Sequence, residues 1–386
     1  MKEKVVKLFV IGDVTVDHLY FLERIPRAGE EATPIRSTLI PGGAGGSLAY
    51  YAAQLGHQVT LGARVGNDAF QEVALSKLRA VGVDLSAIQK DENTLTSTIT
   101  IMVTPDAERS MISAGGANRN LDAAELPKKD IETSDALIIS AYALVSGMQR
   151  EYTVKAMQIA QKQNIPIFID LGTGAVNTAG TKLLEIVKSA DYLLMNQLEL
   201  SRITGQTSIS DALEGLHAQG VHNVVVKVGS MGAIVWTPEE SELIEGYEID
   251  GVADSTGAGD GFTAAFAHAI LQGYDMKRAA QYANVVGAMV ATHIGAQSAK
   301  ISHENILERI QERYGKTSVN QNISSEPKPV KAVQAPSKPV PAPQAALIEP
   351  PTPVIEPEVV KTLEPEGVPV GVKAAPVKKT RVKAKA

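Results

Sequence analysis

Apolar runs without polar alternation recur along the first 316 residues. Examples are VVKLFVIG at 5–12, ALIISAY at 136–142, IPIFIDL at 165–171, YLLMN at 192–196 and NVVVKVG at 223–229. Strands that are apolar on both faces belong to a sheet covered on both sides. Longer segments with helical periodicity lie between them, such as SLAYYAAQLG at 47–56 and EYTVKAMQIAQKQN at 151–164. Alternation of this kind predicts an α/β fold of βαβ units around a mostly parallel sheet, with ligands held at the carboxyl ends of its strands.

One region departs from the alternation. LTSTITIMVTPDAERSMIS at 95–113 reads as two strands about a Pro-Asp turn with no helix. Together with HLYFLERIPRAGEEATPIRSTLI at 18–40 it predicts a small antiparallel sheet projecting from the body. The segments 13–40 and 95–115 would form a lid over a site; a plain hairpin or a homodimer contact is the alternative.

Composition changes near residue 317. The 317–386 segment holds no aromatic residue and 13 of the 20 prolines, and its last residues, VKAAPVKKTRVKAKA, carry only basic charge. Such a segment cannot bury enough apolar surface to offset its ordering entropy. We therefore expect a folded domain over 1–316 and a disordered Pro/Ala/Lys-rich tail over 317–386. The basic end either aids solubility or contacts an anionic partner.

The chain has 386 residues, 44% apolar and 21% charged, with a formal net charge of -6. These are ordinary values for a globular protein, and the charge gives no reason to expect nucleic-acid binding by the body. With no cysteine, disulfides and Cys-based zinc sites are excluded, which fits a cytoplasmic enzyme. No apolar run approaches the roughly 20 residues of a membrane span. The start, MKEKVVKLFVIGD, reads as a first strand rather than a signal peptide. The seven histidines form no metal-binding pattern and read as surface or ordinary core residues.

Two glycine clusters carry the candidate chemistry. In DSTGAGDGFTAAFAHAIL at 254–271, Gly257, Ala258 and Gly259 can present consecutive amides at a helix start, where anions bind. No Gly-Lys-Ser/Thr follows, so this is not a P-loop, and Phe262 replaces the third glycine of the dinucleotide fingerprint. A carboxylate inside an anion site needs a reason. Asp260 reads either as a general base for a hydroxyl attacking phosphorus, or as the cap of a Gly turn. In PGGAGGSLAYYAAQLG at 41–56, Gly42 and Gly43 open a small-residue helix. They make either a tight turn or a surface close enough to touch a polyhydroxyl substrate.

The pair GGAGGSLA and DSTGAGDGF, about 210 residues apart, resembles the two signatures of the ribokinase-like (PfkB-type) carbohydrate kinases. GDVTVD at 12–17, NQLE at 196–199, KVGSMG at 227–232 and ANVVGAMVATHIGAQS at 283–298 extend the resemblance over about 5–305. It implies a three-layer ribokinase-like fold with a small β lid, and an enzyme that uses ATP and magnesium to phosphorylate a hydroxymethyl group of a sugar or sugar acid. By this resemblance Asp260 is the base and the 257–260 amides form the anion hole. Asp17 holds the sugar, with Asp13, Gly42, Gly43 and Ser47 beside it. Asn196 and Glu199 organise magnesium through water, or simply cap a helix. Lys227, Gly229 and Gly232 line the nucleotide, and Asn284 lies by the adenine. Asp254 and Thr256, with the loop at Gly295, match a potassium site. Lys227 also reads as a solvated strand-end lysine, and Asp13 as a strand-end cap.

Three positions depart from the pattern. Ser47 stands where the family has asparagine, and Ala44 and Thr15 where ribokinases have lysine and asparagine. Phosphoryl transfer is thus expected to be intact on an altered acceptor surface. A nucleoside kinase is the alternative enzyme, with Tyr20, Phe21 and Met102 as a cradle for the base. A non-catalytic binding scaffold is the alternative of another class. A phosphosugar acceptor would need a cation, and Arg109 is the lid candidate.

Overall fold

The computed structural model describes residues 4–106 and 108–315. The predicted tail lies outside the described residues. Among those described, thirteen strands form two sheets. The large sheet contains β1 (Lys7–Ile11), β4 (Gln58–Gly66), β5 (Ile88–Asp91), β8 (Ala136–Ser140), β9 (Ile167–Asp170), β10 (Tyr192–Asn196), β11 (Val224–Lys227), β12 (Gly232–Trp236) and β13 (Ser241–Glu245). Its order is β13-β12-β11-β10-β9-β8-β1-β4-β5, parallel from β11 to β5, with β12 and β13 antiparallel at one edge.

The double-faced apolar runs explain the three layers. Leu8 and Val10 of β1 face a core shared with helices Ala44–Gln54, Ala258–Leu271 and Met276–Ala291. Phe9 and Ile11 face the opposite core, shared with helices Gly147–Lys162, Gln197–Thr204 and Ile209–His217. Helix Ala258–Leu271 is buried almost all round. Its run of alanines lets helices Ala44–Gln54 and Met276–Ala291 approach closely on both sides, with Phe262 and Phe266 filling the space between layers.

The small sheet contains β2 (Thr15–Phe21), β3 (Arg36–Gly42), β6 (Thr98–Val103) and β7 (Arg109–Ala114), in the order β3-β2-β6-β7. Its outer pairs are antiparallel as expected. Its central pair, β2–β6, is parallel, because the chain crosses the body between β3 and β6. The two predicted lid segments thus meet in one sheet. No helix among the described residues is long and apolar enough to cross a membrane.

Candidate active site

In the parallel sheet Ile11 pairs with Ile139, Ser140 with Asp170, and Asn196 with Lys227. Residues at and just past these strand ends therefore form one row: Asp13, Tyr142, Asp170, Asn196 and Lys227. The lid stands over one end of that row. Helix Ala258–Leu271 starts beside it and brings Asp260 in from the side.

Gly257 caps that helix at φ 79, in the left-handed region, and a Cβ there would lie 2.6 Å from the Ala296 carbonyl oxygen. Glycine is thus required twice over, by backbone angle and by space. The cap position is held by Gly257, and Asp260 lies three residues on, inside the first turn of the helix. The Ala258 N–H donates to the Ser255 carbonyl at 3.2 Å, whereas the amides of Gly257, Gly259 and Asp260 have no backbone acceptor among the described residues. Three amides rather than four are therefore free for an anion. Burial pushes the Asp260 carboxyl well above its usual range; Asp170 adds to the rise, Lys227 opposes it, Asp13 raises it further and the Ser47 hydroxyl lowers it.

Lys227 is not a solvated strand-end lysine. Its ammonium donates to Asp170 Oδ1 at 2.5 Å, and both side chains are largely withdrawn from water. Burial opposes its charge, but Asp170, Glu199 and Asp260 outweigh that and raise its pKa. Burial lifts Asp170 to about 6 against the pull of Lys227, with Glu199 adding to the rise. Three carboxylates thus share one ammonium, an excess of negative charge of the kind a divalent cation offsets.

Asn196 and Glu199 form a full capping box on helix Gln197–Thr204. Asn196 Oδ1 accepts from the Glu199 amide at 2.8 Å, and Glu199 Oε2 accepts from the Asn196 amide at 2.8 Å. Glu199 Oε1 also accepts from Asn196 Nδ2 and Thr173 Oγ1. The capping reading therefore holds, and it fixes a buried carboxylate facing Asp170 and Lys227. The Asn284 amide donates to the Ile244 and Glu245 carbonyls at 3.1 and 3.0 Å, tying its helix to β13. Gly232 pairs with Glu245, so Asn284 lies near the Gly229–Gly232 turn, set apart from the carboxylates.

Asp17 is 3% exposed and accepts from Thr15 Oγ1 at 2.7 Å. A Cβ at Gly42 would come within 2.5 Å of its carboxyl carbon, so glycine there leaves room for the carboxylate. Burial, then Asp13 and Asp254, lift Asp17 to about 6 against the Thr15 hydrogen bond. Asp13 is raised by burial and held back by its own amide and those of Gly45 and Ala44; its Oδ1 has no hydrogen-bond partner among the described residues. Gly43 precedes helix Ala44–Gln54, and Ser47 is fully buried with its hydroxyl on the Gly43 carbonyl.

A cleft of about 550 Å³ lies between lid and body. Leu19, Phe21, Ile40, Ile101 and Val103 line the lid side, and Ile294 and Gly295 the body side. Of the three proposed cradle residues only Phe21 lines it; Tyr20 alternates to the other face of β2, where it stacks on His18. Asp254 and Thr256 are brought together, but with Arg109: its guanidinium donates to Asp254 Oδ1 at 2.8 Å, Thr256 Oγ1 at 2.7 Å and Ser255 Oγ at 3.2 Å.

A model of the pfkB family of carbohydrate kinases matches residues 6–303. The chain belongs to that family. It is an ATP-dependent phosphotransferase of the sugar-kinase class. An ATP-dependent ribose-1-phosphate kinase of Halopiger xanaduensis is 31% identical over 299 residues, covering 76% of this chain and 95% of that protein. A ribokinase of Arabidopsis thaliana is 29% identical over 312 residues, covering 78% and 80%. The structure of Arabidopsis thaliana ribokinase complexed with ribose and ATP matches with a TM-score of 0.71 at 25% identity, covering 80% of this chain and 99% of that one.

Two residues of this carbohydrate kinase's site escaped the sequence reading. Asp170 is the penultimate residue of IPIFIDL and the last of β9, and Tyr142 ends ALIISAY. Both lie at carboxyl ends of parallel strands, which is the signal that locates them. Tyr142 is 38% exposed, and its ring packs so closely on Gly172 and Gly174 that a Cβ at either would overlap it. Its hydroxyl accepts from the Gly174 amide at 3.3 Å. Burial, then the negative charge of Asp13, push that hydroxyl up to about 12. Two of the histidines are core residues: His57 Nε2 and His268 Nδ1 lie 2.8 Å apart in a buried pair.

Proposed function

We propose that the kinase transfers the γ-phosphoryl group of ATP to a hydroxymethyl group of a small polyhydroxyl acceptor held beneath the lid. The observation that carries the assignment of roles is Asp260. Its proton affinity is raised by burial and by neighbouring carboxylates, and it stands next to free helix-start amides. A general base needs that affinity, and developing phosphoryl charge needs those amides. Asp17 holds acceptor hydroxyls, since a carboxylate accepts two hydrogen bonds at once. Asp260 takes the proton of the attacking hydroxyl, the Gly259 and Asp260 amides donate to the phosphoryl oxygens, and Lys227 balances charge beside them.

ATP would bring the transferable group, and magnesium would offset the charge of its phosphates. Among the described residues no three acidic or histidine side chains converge as a metal cage, so Asp170 and Glu199 would hold the cation through water, with Asn196 fixing Glu199 by the capping box. Lys227 and the Gly229–Gly232 turn would face the nucleotide, with Asn284 behind the turn. Potassium beside Asp254 and Thr256 would have to share that carboxylate with Arg109; rates in sodium-only and potassium buffers decide it.

The test is acceptor-dependent ADP release. Asp260→Asn is expected to lower kcat by roughly 10²–10⁴ while ATP binding persists; near-normal turnover would remove Asp260 as base. A non-catalytic scaffold would release no ADP. The apolar wall of the cleft favours one second reading, a nucleoside acceptor, and comparing adenosine with ribose separates the two. We also propose a cytoplasmic setting, where ATP is available, and a self-contact through the exposed lid residues Leu39, Met111 and Ile112, to be checked by light scattering.

A further inference from the structure

The cleft between lid and body is lined by three charged side chains: Asp17, Asp254 and Arg109. Arg109 is the only cation among them, and it is already engaged. Its two terminal nitrogens reach Asp254, Ser255 and Thr256, the three residues that run into Gly257. The remaining charge facing the cleft is the Asp17 carboxylate, with Asp13 close behind it. A second arginine of the lid sheet, Arg36 at the start of β3, stacks over the Phe21 ring at 3.8 Å. Phe21 is four residues along β2 from Asp17, roughly 13 Å at strand rise.

We infer that the acceptor is an uncharged polyhydroxyl molecule, and that Arg109 is a positioning residue that latches the lid to the loop ahead of the anion-binding turn. This rests on the kinase reading above and narrows it. A phosphorylated sugar or a sugar acid would bring its negative charge into a cleft whose one lining cation is paired and whose other charges are carboxylates. An uncharged polyol meets no such penalty. Its hydroxyls donate to Asp17, while its carbon face, or an apolar substituent, lies on Leu19, Phe21 and Ile101. The same guanidinium explains how closure over the acceptor is sensed at the phosphoryl site. When β7 is down, Arg109 holds 254–256 in place, and Gly257 and Asp260 follow directly in the chain.

The test pairs acceptors that differ only in charge. With wild-type enzyme and ATP, ribose is compared with ribose 1-phosphate, and fructose with fructose 6-phosphate; each phosphorylated member keeps a free hydroxymethyl group. The uncharged member is expected to lead in kcat/KM by about 10-fold or more. Arg109→Gln is then expected to raise the KM of the uncharged acceptor about fivefold or more with the ATP KM within about twofold, and Arg109→Lys to restore part of the loss. A phosphorylated acceptor that beats its parent sugar overturns the inference and leaves the kinase reading standing. So does an Arg109→Gln loss confined to phosphorylated acceptors, which would make Arg109 an anion receptor. If no acceptor, charged or uncharged, drives ADP release, the kinase reading itself falls and this inference with it.

Discussion

At Asp17 the fold keeps a carboxylate almost out of water with one hydroxyl for company. Its pKa rises from 3.8 to about 6, so between those values the folded chain binds more protons than the unfolded chain. Stability from this group is therefore greatest at acid pH and falls as pH rises toward 6. The rise corresponds to about 3 kcal/mol. Asp17→Asn is accordingly expected to stabilise the fold by about 1–3 kcal/mol at pH 7.5 and by little near pH 4, while acceptor KM rises steeply. Thermal melts at the two pH values check the first part and initial rates the second; equal destabilisation at both would remove the argument. The acceptor kcat/KM of the wild type should also fall as pH drops through about 6. Tyr142 allows a parallel experiment. Tyr142→Phe keeps the ring on Gly172 and Gly174 and loses one hydrogen bond, so kinetics should stay within about threefold. Tyr142→Ala empties the place between Asp13 and Asp170 and should raise acceptor KM about tenfold or more, with ATP KM little changed. If Tyr142→Ala moves only the ATP KM, Tyr142 belongs to the nucleotide side.

Among the elements, the β strands and the helix at 258–271 were legible in sequence because each has a single burial solution. A run apolar on both faces fits the middle of a covered sheet, and a helix of alanine and phenylalanine fits only between other helices. The lid was legible as strands but not as a topology, since the parallel β2–β6 pairing depends on where the chain crosses the body. Asp260 was legible because a carboxylate inside a glycine turn is out of place there, whereas Asp13 and Asp17 were named through the family resemblance. Arg109 was visible only as a cation in the lid, since its partners lie 145 to 147 residues away. Asn196–Glu199 shows how one local motif serves two ends. The capping box is structural, and the carboxylate it fixes faces Lys227. Glu199→Gln retains an oxygen that can accept from the Asn196 amide, so the melting temperature should move little while kcat drops about tenfold or more. Asn196→Ala should cost about 1 kcal/mol of stability as well. Full activity in Glu199→Gln would leave the motif a cap and nothing more.

For the whole molecule, the question is where the folded domain ends. Helix His303–Tyr314 belongs to it. Ile306 and Ile310 are buried, the Tyr314 hydroxyl donates to the Glu245 carbonyl at 2.6 Å, and the Arg309 guanidinium lies over the Tyr247 ring. Removing that helix strips two buried isoleucines, each worth about 2–5 kcal/mol on truncation. It also uncovers the side of β13 to which Asn284 is tied. Beyond it, we propose, the chain contributes nothing to catalysis: 317–386 has no aromatic residue and is rich in proline. Ordering such a segment costs roughly 1–2 kcal/mol per residue with little apolar area to bury in return. Two truncations separate these statements. A chain ending at residue 316 should keep the melting temperature and kcat/KM of the full chain, whereas one ending at 302 should melt several degrees lower or fail to accumulate. The basic end could still hold the enzyme to an anionic partner, in which case the full chain, but not the 1–316 form, should be retained on an anionic resin at low salt and released as salt rises. Loss of activity on removing 317–386 alone would place that segment in the working enzyme and move the domain boundary past residue 316.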